Sequence, residues 1–286
     1  MKWNRWTIAV LTLSLLLALA ACGPAQDAAD PTGEDSTTHQ TGETTSPEDT
    51  QTTQENQDGQ TGEEAPAKTD TVPVPESAPV DASWFDDAAF VGDSVSVTLA
   101  NYNSSYGTLG KAKFFSVSLS QTNALSYQAG NERLPEYPAG SGQHPRIEDG
   151  IAASGAKKVY LMLGMNCIAS GVDRVSQDLV TLVSKIQEKS PGIAVLIESV
   201  TPMTADSPRA DGSLNNFTIQ EFNEKMKAIC QEKQWYYVNV AEAVTGDQGA
   251  LKAEYSGDKA MGIHFNYDGA AAWANYLLTH VPEALK

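Results

Sequence analysis

The chain has 286 residues, three cysteines and a formal net charge of −17 at neutral pH, with 41% of its residues hydrophobic. That acidity argues against nucleic acid as a partner, because phosphate backbones are held by Lys and Arg. Three cysteines are too few for a disulfide framework or a four-ligand zinc cluster.

Lys2 and Arg5 precede an apolar run over residues 8–21 that ends in Leu19-Ala20-Ala21-Cys22. The run reads as an export signal, short for a membrane span. A cysteine directly after Leu-Ala-Ala resembles the bacterial lipoprotein signal. That resemblance implies loss of residues 1–21, lipidation of Cys22 and a chain anchored to the membrane outside the cytoplasm. Residues 23–80 contain no Leu, Ile, Phe, Trp, Tyr or Met and carry thirteen acidic residues against one lysine. Such a stretch cannot offset its ordering entropy, so residues 22–80 read as a lipidated cysteine followed by a disordered acidic tether. Coil scaling gives that tether a reach of about 40 Å. Most of the acidity therefore belongs to the tether, and the folded domain is expected over residues 81–286.

Within that domain short apolar runs alternate with amphipathic segments, the pattern of a largely parallel sheet covered by helices on both faces. Five strands are predicted, at residues 88–91, 113–117, 158–163, 193–200 and 235–240. Val175, Leu179, Leu182, Val183 and Ile186 recur at helical spacing until Pro191-Gly192 stops the run. Thr218 with Glu221 reads as a capping box opening a second helix whose apolar face carries Phe222, Met226 and Cys230. A closing helix is expected over residues 268–280. Loops at 101–110, 130–142 and 202–216 are expected to shape a pocket.

Ligands of α/β sheets gather at the carboxyl ends of the strands. Gly92-Asp93-Ser94 follows the first strand, Gly164-Met165-Asn166 follows the third, and His264 lies in the loop after the fifth. Ser94 alone reads as a helix N-cap. A nucleophilic reading needs a base, and the domain offers His144, His264 and His280. His280 suits the end of the closing helix, and His144 lies in a Gly/Ser/Pro loop. His264 is the one placed to reach Ser94.

The stretches "FVGDSVSVTL", "VYLMLGMNCI" and "GIHFNYDGAAAWANYL", in this order, resemble the nucleophile, asparagine and histidine blocks of the SGNH (GDSL-type) hydrolases. The resemblance covers about residues 88–278. It implies a three-layer α/β/α, flavodoxin-like fold and a serine esterase with Ser94 as nucleophile and His264 as base. The oxyanion would be met by the Ser94 N–H and the Asn166 amide. That chemistry requires no metal or organic cofactor.

Two departures stand out. Where many relatives carry Asp three positions before the histidine, this chain has Met261. Asp258 is then the first candidate for the orienting acid and Asp247 the second, with a Ser-His dyad held by a backbone carbonyl as the third option. The family's glycine block after the second strand is also missing, which leaves the N–H groups of Ser118, Ser120 and Gln121 as alternative oxyanion donors. Cys167 follows Asn166 where relatives often have Asp, and it reads as a pocket residue. The substrate expected is an acyl or acetyl ester, small or carried on carbohydrate. An O-acyltransferase using the same residues and a non-catalytic envelope- or carbohydrate-binding lipoprotein are the alternatives.

Overall fold

The computed structural model describes residues 72–286. The signal segment, Cys22 and the tether up to residue 71 lie outside the described residues. Five strands form one sheet in the order β2-β1-β3-β4-β5, and every pairing is parallel. In chain order the elements are β1 (Ala88–Gly92), α1 (Ser94–Tyr106), β2 (Lys113–Ser116), α2 (Gln121–Ser126), α3 (Ile147–Ser154) and β3 (Lys158–Met162). They continue with α4 (Val172–Lys189), β4 (Ala194–Glu198), α5 (Asn216–Lys233), β5 (Tyr236–Val238), α6 (Ala241–Val244) and α7 (Tyr267–Thr279).

Helix α1 packs with α7, whereas α4 packs with α2, α3 and α5, so the sheet is covered on both faces. Central strands β1 and β3 are buried at every position, which is why their sequences are continuous apolar runs and do not alternate. Register places Phe114, Phe90 and Tyr160 side by side across β2, β1 and β3. Their rings stack, with centroids 5.0 Å and 4.6 Å apart. This ladder fixes the relative height of the two strands whose ends carry Ser94 and Asn166.

The five expected strands are all present, each ending within two residues of its expected carboxyl end. Three expectations need correction. Residues 101–106 belong to α1 and are not loop. Helix α5 is capped by Asn215, whose side chain accepts from the Thr218 N–H, so Thr218 is the third helical residue and only half of the box. Residues 72–80 are ordered on the domain and do not continue the tether. Val74 is buried and its N–H donates to Tyr237 O at 2.8 Å, along the outer edge of β5. Ser77 and Val80 donate to the carbonyls of Thr279 and Leu278 at 2.7 and 2.9 Å, which supplies partners for the open carbonyls at the end of α7. The segment thereby shields an edge strand that would otherwise present a bare row of backbone groups. Its composition hides this, because the docking uses main chain and three scattered valines, Val74 buried and Val72 and Val80 half-buried against the core.

A chain starting at residue 81 is expected to be less stable than one starting at residue 71. Losing the Val74 burial alone costs about 1.5 kcal/mol or more, and the midpoint in thermal melts should fall by several degrees. Equal midpoints would show that the segment does not hold the edge.

Glu198, at the end of β4, is fully buried. Burial pushes its carboxyl up to about 8. The fold therefore keeps a proton that the unfolded chain releases near the ordinary value of 4.5. Stability from this group is complete below that value and is lost as pH rises toward 8. In Glu198→Gln, urea unfolding should show a shallower decline between pH 5 and 8, by up to roughly 1.4 kcal/mol per unit. Parallel curves for the two proteins would contradict this.

Candidate active site

Strand order reverses at β1, whose neighbours β2 and β3 lie on opposite sides of it. The chain leaving β1 enters α1 on one face, and the chain leaving β3 leads to α4 on the other. A crevice opens where two such connections diverge. Gly92 is still in register with Met162. A Cβ on it would lie 2.2 Å from Ser96 Oγ and 2.5 Å from Ser96 Cβ, so only glycine lets α1 begin this close to the strand.

The helix cap is Asp93 and not Ser94. Its carboxylate accepts from the Val95 N–H at 3.0 Å, and its carbonyl accepts from Ser96 N–H and Oγ at 3.1 and 2.7 Å. Ser94 is the first helical residue, with its hydroxyl not used by the cap. Burial pushes the Asp93 carboxyl up to about 7, against hydrogen bonds from the backbone N–H groups of Val95 and Met165 that pull it down. The Met165 N–H thus lies near that carboxyl, where the Ser94 turn meets the loop that carries Asn166.

His264 Nε2 stands 3.0 Å from Ser94 Oγ, and Nδ1 hydrogen-bonds Asp258 Oδ2. With its Nδ1–H directed at a carboxylate, the imidazole presents an Nε2 lone pair to the serine hydroxyl. Burial would raise the Asp258 carboxyl. The hydrogen bond from His264, that from the Met261 N–H, the charge of His264 and the Gly262 N–H outweigh it and hold the carboxyl below its ordinary value. Asp258 is thus a stable anion beside the ring. Met261, which occupies the position where relatives carry the acid, donates its N–H to Asp258 Oδ1 and so aims the acid.

The loop itself is pinned from two sides. Gly257 N–H donates to His264 O at 2.9 Å, and Thr204 N–H donates to Gly262 O at 2.8 Å. Gly262 has φ +68°, and a Cβ there would lie 2.3 Å from Thr204 Oγ1. The glycine in "AMGIH" was the one sequence signal for this contact, and it does not name its partner.

Asn166 is exposed at the end of β3. Its Nδ2 donates to Leu119 O at 2.9 Å, which fixes the amide and leaves its second N–H uncommitted. Sequence reasoning missed this anchor, because a backbone carbonyl carries no residue signature. Ser120 caps α2 through its hydroxyl at 3.1 Å from Asn123 N, and the Gln121 amide donates to Val175 O at 3.2 Å. Their side chains are therefore occupied, and only their backbone N–H groups are left to serve the crevice.

The remaining sequence candidates stand elsewhere. Asp247 lines a different surface cavity with Thr204, Asp206 and Lys252, and the imidazole nitrogen it would have bonded is taken by Asp258. His144 Nδ1 contacts Leu134 O at 2.7 Å, and His280 stacks on Tyr276 with centroids 3.5 Å apart. Cys167 donates its thiol to Gln121 Oε1 at 3.1 Å, and burial pushes it up to about 12, so it remains a protonated thiol. Among the described residues no group of three or more His, Cys, Asp or Glu is placed to hold a metal ion.

The family model described as GDSL-like lipase/acylhydrolase matches residues 90–272. Among solved structures, a proposed acylhydrolase from Bacteroides fragilis aligns with a TM-score of 0.54 at 14% identity, over 74% of this chain and 92% of that one. A GDSL-like lipase from Bacteroides thetaiotaomicron aligns with a TM-score of 0.52 at 15% identity, over 67% of this chain and 86% of that one. At these identities the two structures show a shared fold. A search of curated proteins finds no match.

Gly92→Ala should displace the first turn of α1 and cost about 1–3 kcal/mol, the usual range for overpacking. Chemical unfolding measures it. An unchanged midpoint would mean that the turn relaxes freely and that glycine is not required there.

Proposed function

Because the chain belongs to the GDSL-like lipase/acylhydrolase family, we propose that it is a serine esterase that cleaves acyl esters, acetyl esters included, through an acyl group carried on Ser94. The observation that carries this reading is the continuous hydrogen-bonded line from Asp258 through His264 to Ser94.

In this mechanism Ser94 Oγ attacks the ester carbonyl carbon while His264 Nε2 takes the hydroxyl proton. Asp258 keeps the imidazole in the required tautomer and stabilises the imidazolium that forms. The negative charge that develops on the carbonyl oxygen is met by the Ser94 N–H and the second N–H of Asn166. The Ser94 N–H is one of the open donors at the start of a thirteen-residue helix, so the helix field also favours an anion there. Collapse of the tetrahedral species expels the alkoxide, which collects the proton from His264. Water, activated by the same imidazole, then hydrolyses the acyl-serine and restores the site.

The two departures from the family pattern do not stand in the way of this mechanism. The acid is supplied from Asp258, and backbone N–H groups at the start of α2 do not require glycine. We place the enzyme outside the cytoplasm, held to the membrane by a lipid on Cys22 and acting on esters within reach of its tether. This rests on the signal and tether sequences.

The test is release of p-nitrophenol from p-nitrophenyl acetate by the full chain. Ser94→Ala and His264→Ala should abolish turnover. Asn166→Ala should lose about 10²–10³ in kcat, the usual cost of one oxyanion donor, and Asp258→Asn up to about 10⁴. If wild type were as slow as Ser94→Ala, the esterase reading would be wrong.

A further inference from the structure

Among the described residues three large hydrophobic side chains are exposed, Tyr106 at 64%, Phe217 at 75% and Tyr267 at 43%. Two of the three touch. Tyr106 and Tyr267 lie with ring centroids 6.1 Å apart, and both contact half-buried Tyr102, at 4.7 and 5.9 Å. Tyr102 and Tyr106 are one helical turn apart on α1 and lie at 35° to each other. Tyr267 stands edge-on to both, at 86° and 78°. Each ring is thus braced by the other two, which lowers the ordering cost of presenting them to a ligand.

The cluster adjoins the proposed catalytic line. Helix α1 begins at Ser94 and carries Tyr102 and Tyr106 eight and twelve residues on, roughly 12 and 18 Å along its axis. Tyr267 follows His264 by three residues and is the first residue of α7.

On the α1 side its chemistry is uncharged and hydroxyl-rich. Residues 94–110 contain no Asp, Glu, Lys or Arg, and Asn101, Ser104 and Ser105 are exposed beside the rings. Asp268 is the acidic residue of the first turn of α7. Exposed tyrosines also stack nucleic acid bases, but that use needs a basic groove along the phosphates, and residues 94–110 supply neither Lys nor Arg. A lipid surface needs a broad apolar face with cationic flanks, and the patch has no Leu, Ile, Phe or Trp. What fits is a neutral ligand with polarised C–H faces for the negative faces of the rings and hydroxyls for the Tyr, Asn and Ser tips. We propose that Tyr102, Tyr106 and Tyr267 form a platform for a neutral glycan chain whose ester groups are thereby presented to Ser94. This rests on the esterase reading for its second half only, since the platform binds whether or not Ser94 reacts.

The experiment uses the full chain carrying Ser94→Ala, titrated calorimetrically with xylohexaose, cellohexaose and chitohexaose. At least one should bind, Tyr106→Ala and Tyr267→Ala should each weaken it about tenfold, and Tyr106→Phe should stay within about twofold. In the Ser94-intact enzyme the same Ala variants should raise KM for acetylated xylan and leave p-nitrophenyl acetate turnover unchanged. No binding by any of the three glycans, or binding indifferent to Tyr106→Ala, overturns the platform. So does Tyr106-dependent binding to phosphatidylcholine/phosphatidylglycerol vesicles, or a Tyr106-dependent dimer in sedimentation, because either gives the surface a different occupant. Glycan binding without p-nitrophenyl acetate turnover in wild type would remove the esterase reading and keep the platform; turnover without glycan binding would do the reverse.

Discussion

The site exists because the sheet reverses its strand order at β1. A parallel sheet sends every carboxyl end to one edge, but elsewhere along it consecutive connections lie on the same face and close over the strand ends. At β1 and β3 they part, α1 to one face and α4 to the other. Two turns are left facing one opening. Ser94 and Asn166 are the residues that those turns present, and the aromatic ladder through Phe90 and Tyr160 holds the two strands level. The geometry of the crevice is thus set by the core, several residues away from any reacting atom.

The histidine has no such support from the sheet. It arrives on a long connection between β5 and α7, and a loop of that length is held only by what it bonds. Here it bonds to itself through Asp258, Met261 and Gly262, and to residues 204–207 through Thr204 and Ser207. The acid is therefore both a partner of the imidazole and a brace of the turn that carries it. This explains how the proposed acid can stand six positions before the histidine. A backbone N–H at position 261 does the aiming, and any residue but proline leaves that N–H available.

The sequence disclosed the parts that depend on side-chain type and periodicity. Continuous apolar runs marked the central strands, helical spacing marked α4, and Ser94, Asn166 and His264 fell at strand ends where chemistry collects. What stayed hidden was made of main chain. The strap over β5 uses the N–H groups of Val74, Ser77 and Val80, inside a segment whose composition matches a tether. The Asn166 amide is set by the Leu119 carbonyl, and the choice of Asp258 over Asp247 turns on the path of a loop with no periodicity. Residues 101–106 read as loop because Asn, Ser and Tyr are weak helix formers, and α1 survives there by packing on α7 and β2.

Within Gly92-Asp93-Ser94 three needs are met by three residues, and the order matters. A serine at the cap position would spend its oxygen on the Val95 N–H. Moving the cap to Asp93 frees the serine hydroxyl, and places the serine where its own N–H is an open helix donor. The cost is a carboxyl buried one residue from the N–H that meets the developing negative charge in the proposed mechanism. Burial itself reduces that cost, because a group pushed up to about 7 carries less negative charge near neutral pH than an ordinary aspartate. The cap is thus kept at the helix start with part of its opposing field removed, which leaves the Ser94 N–H open to the oxyanion of the proposed mechanism.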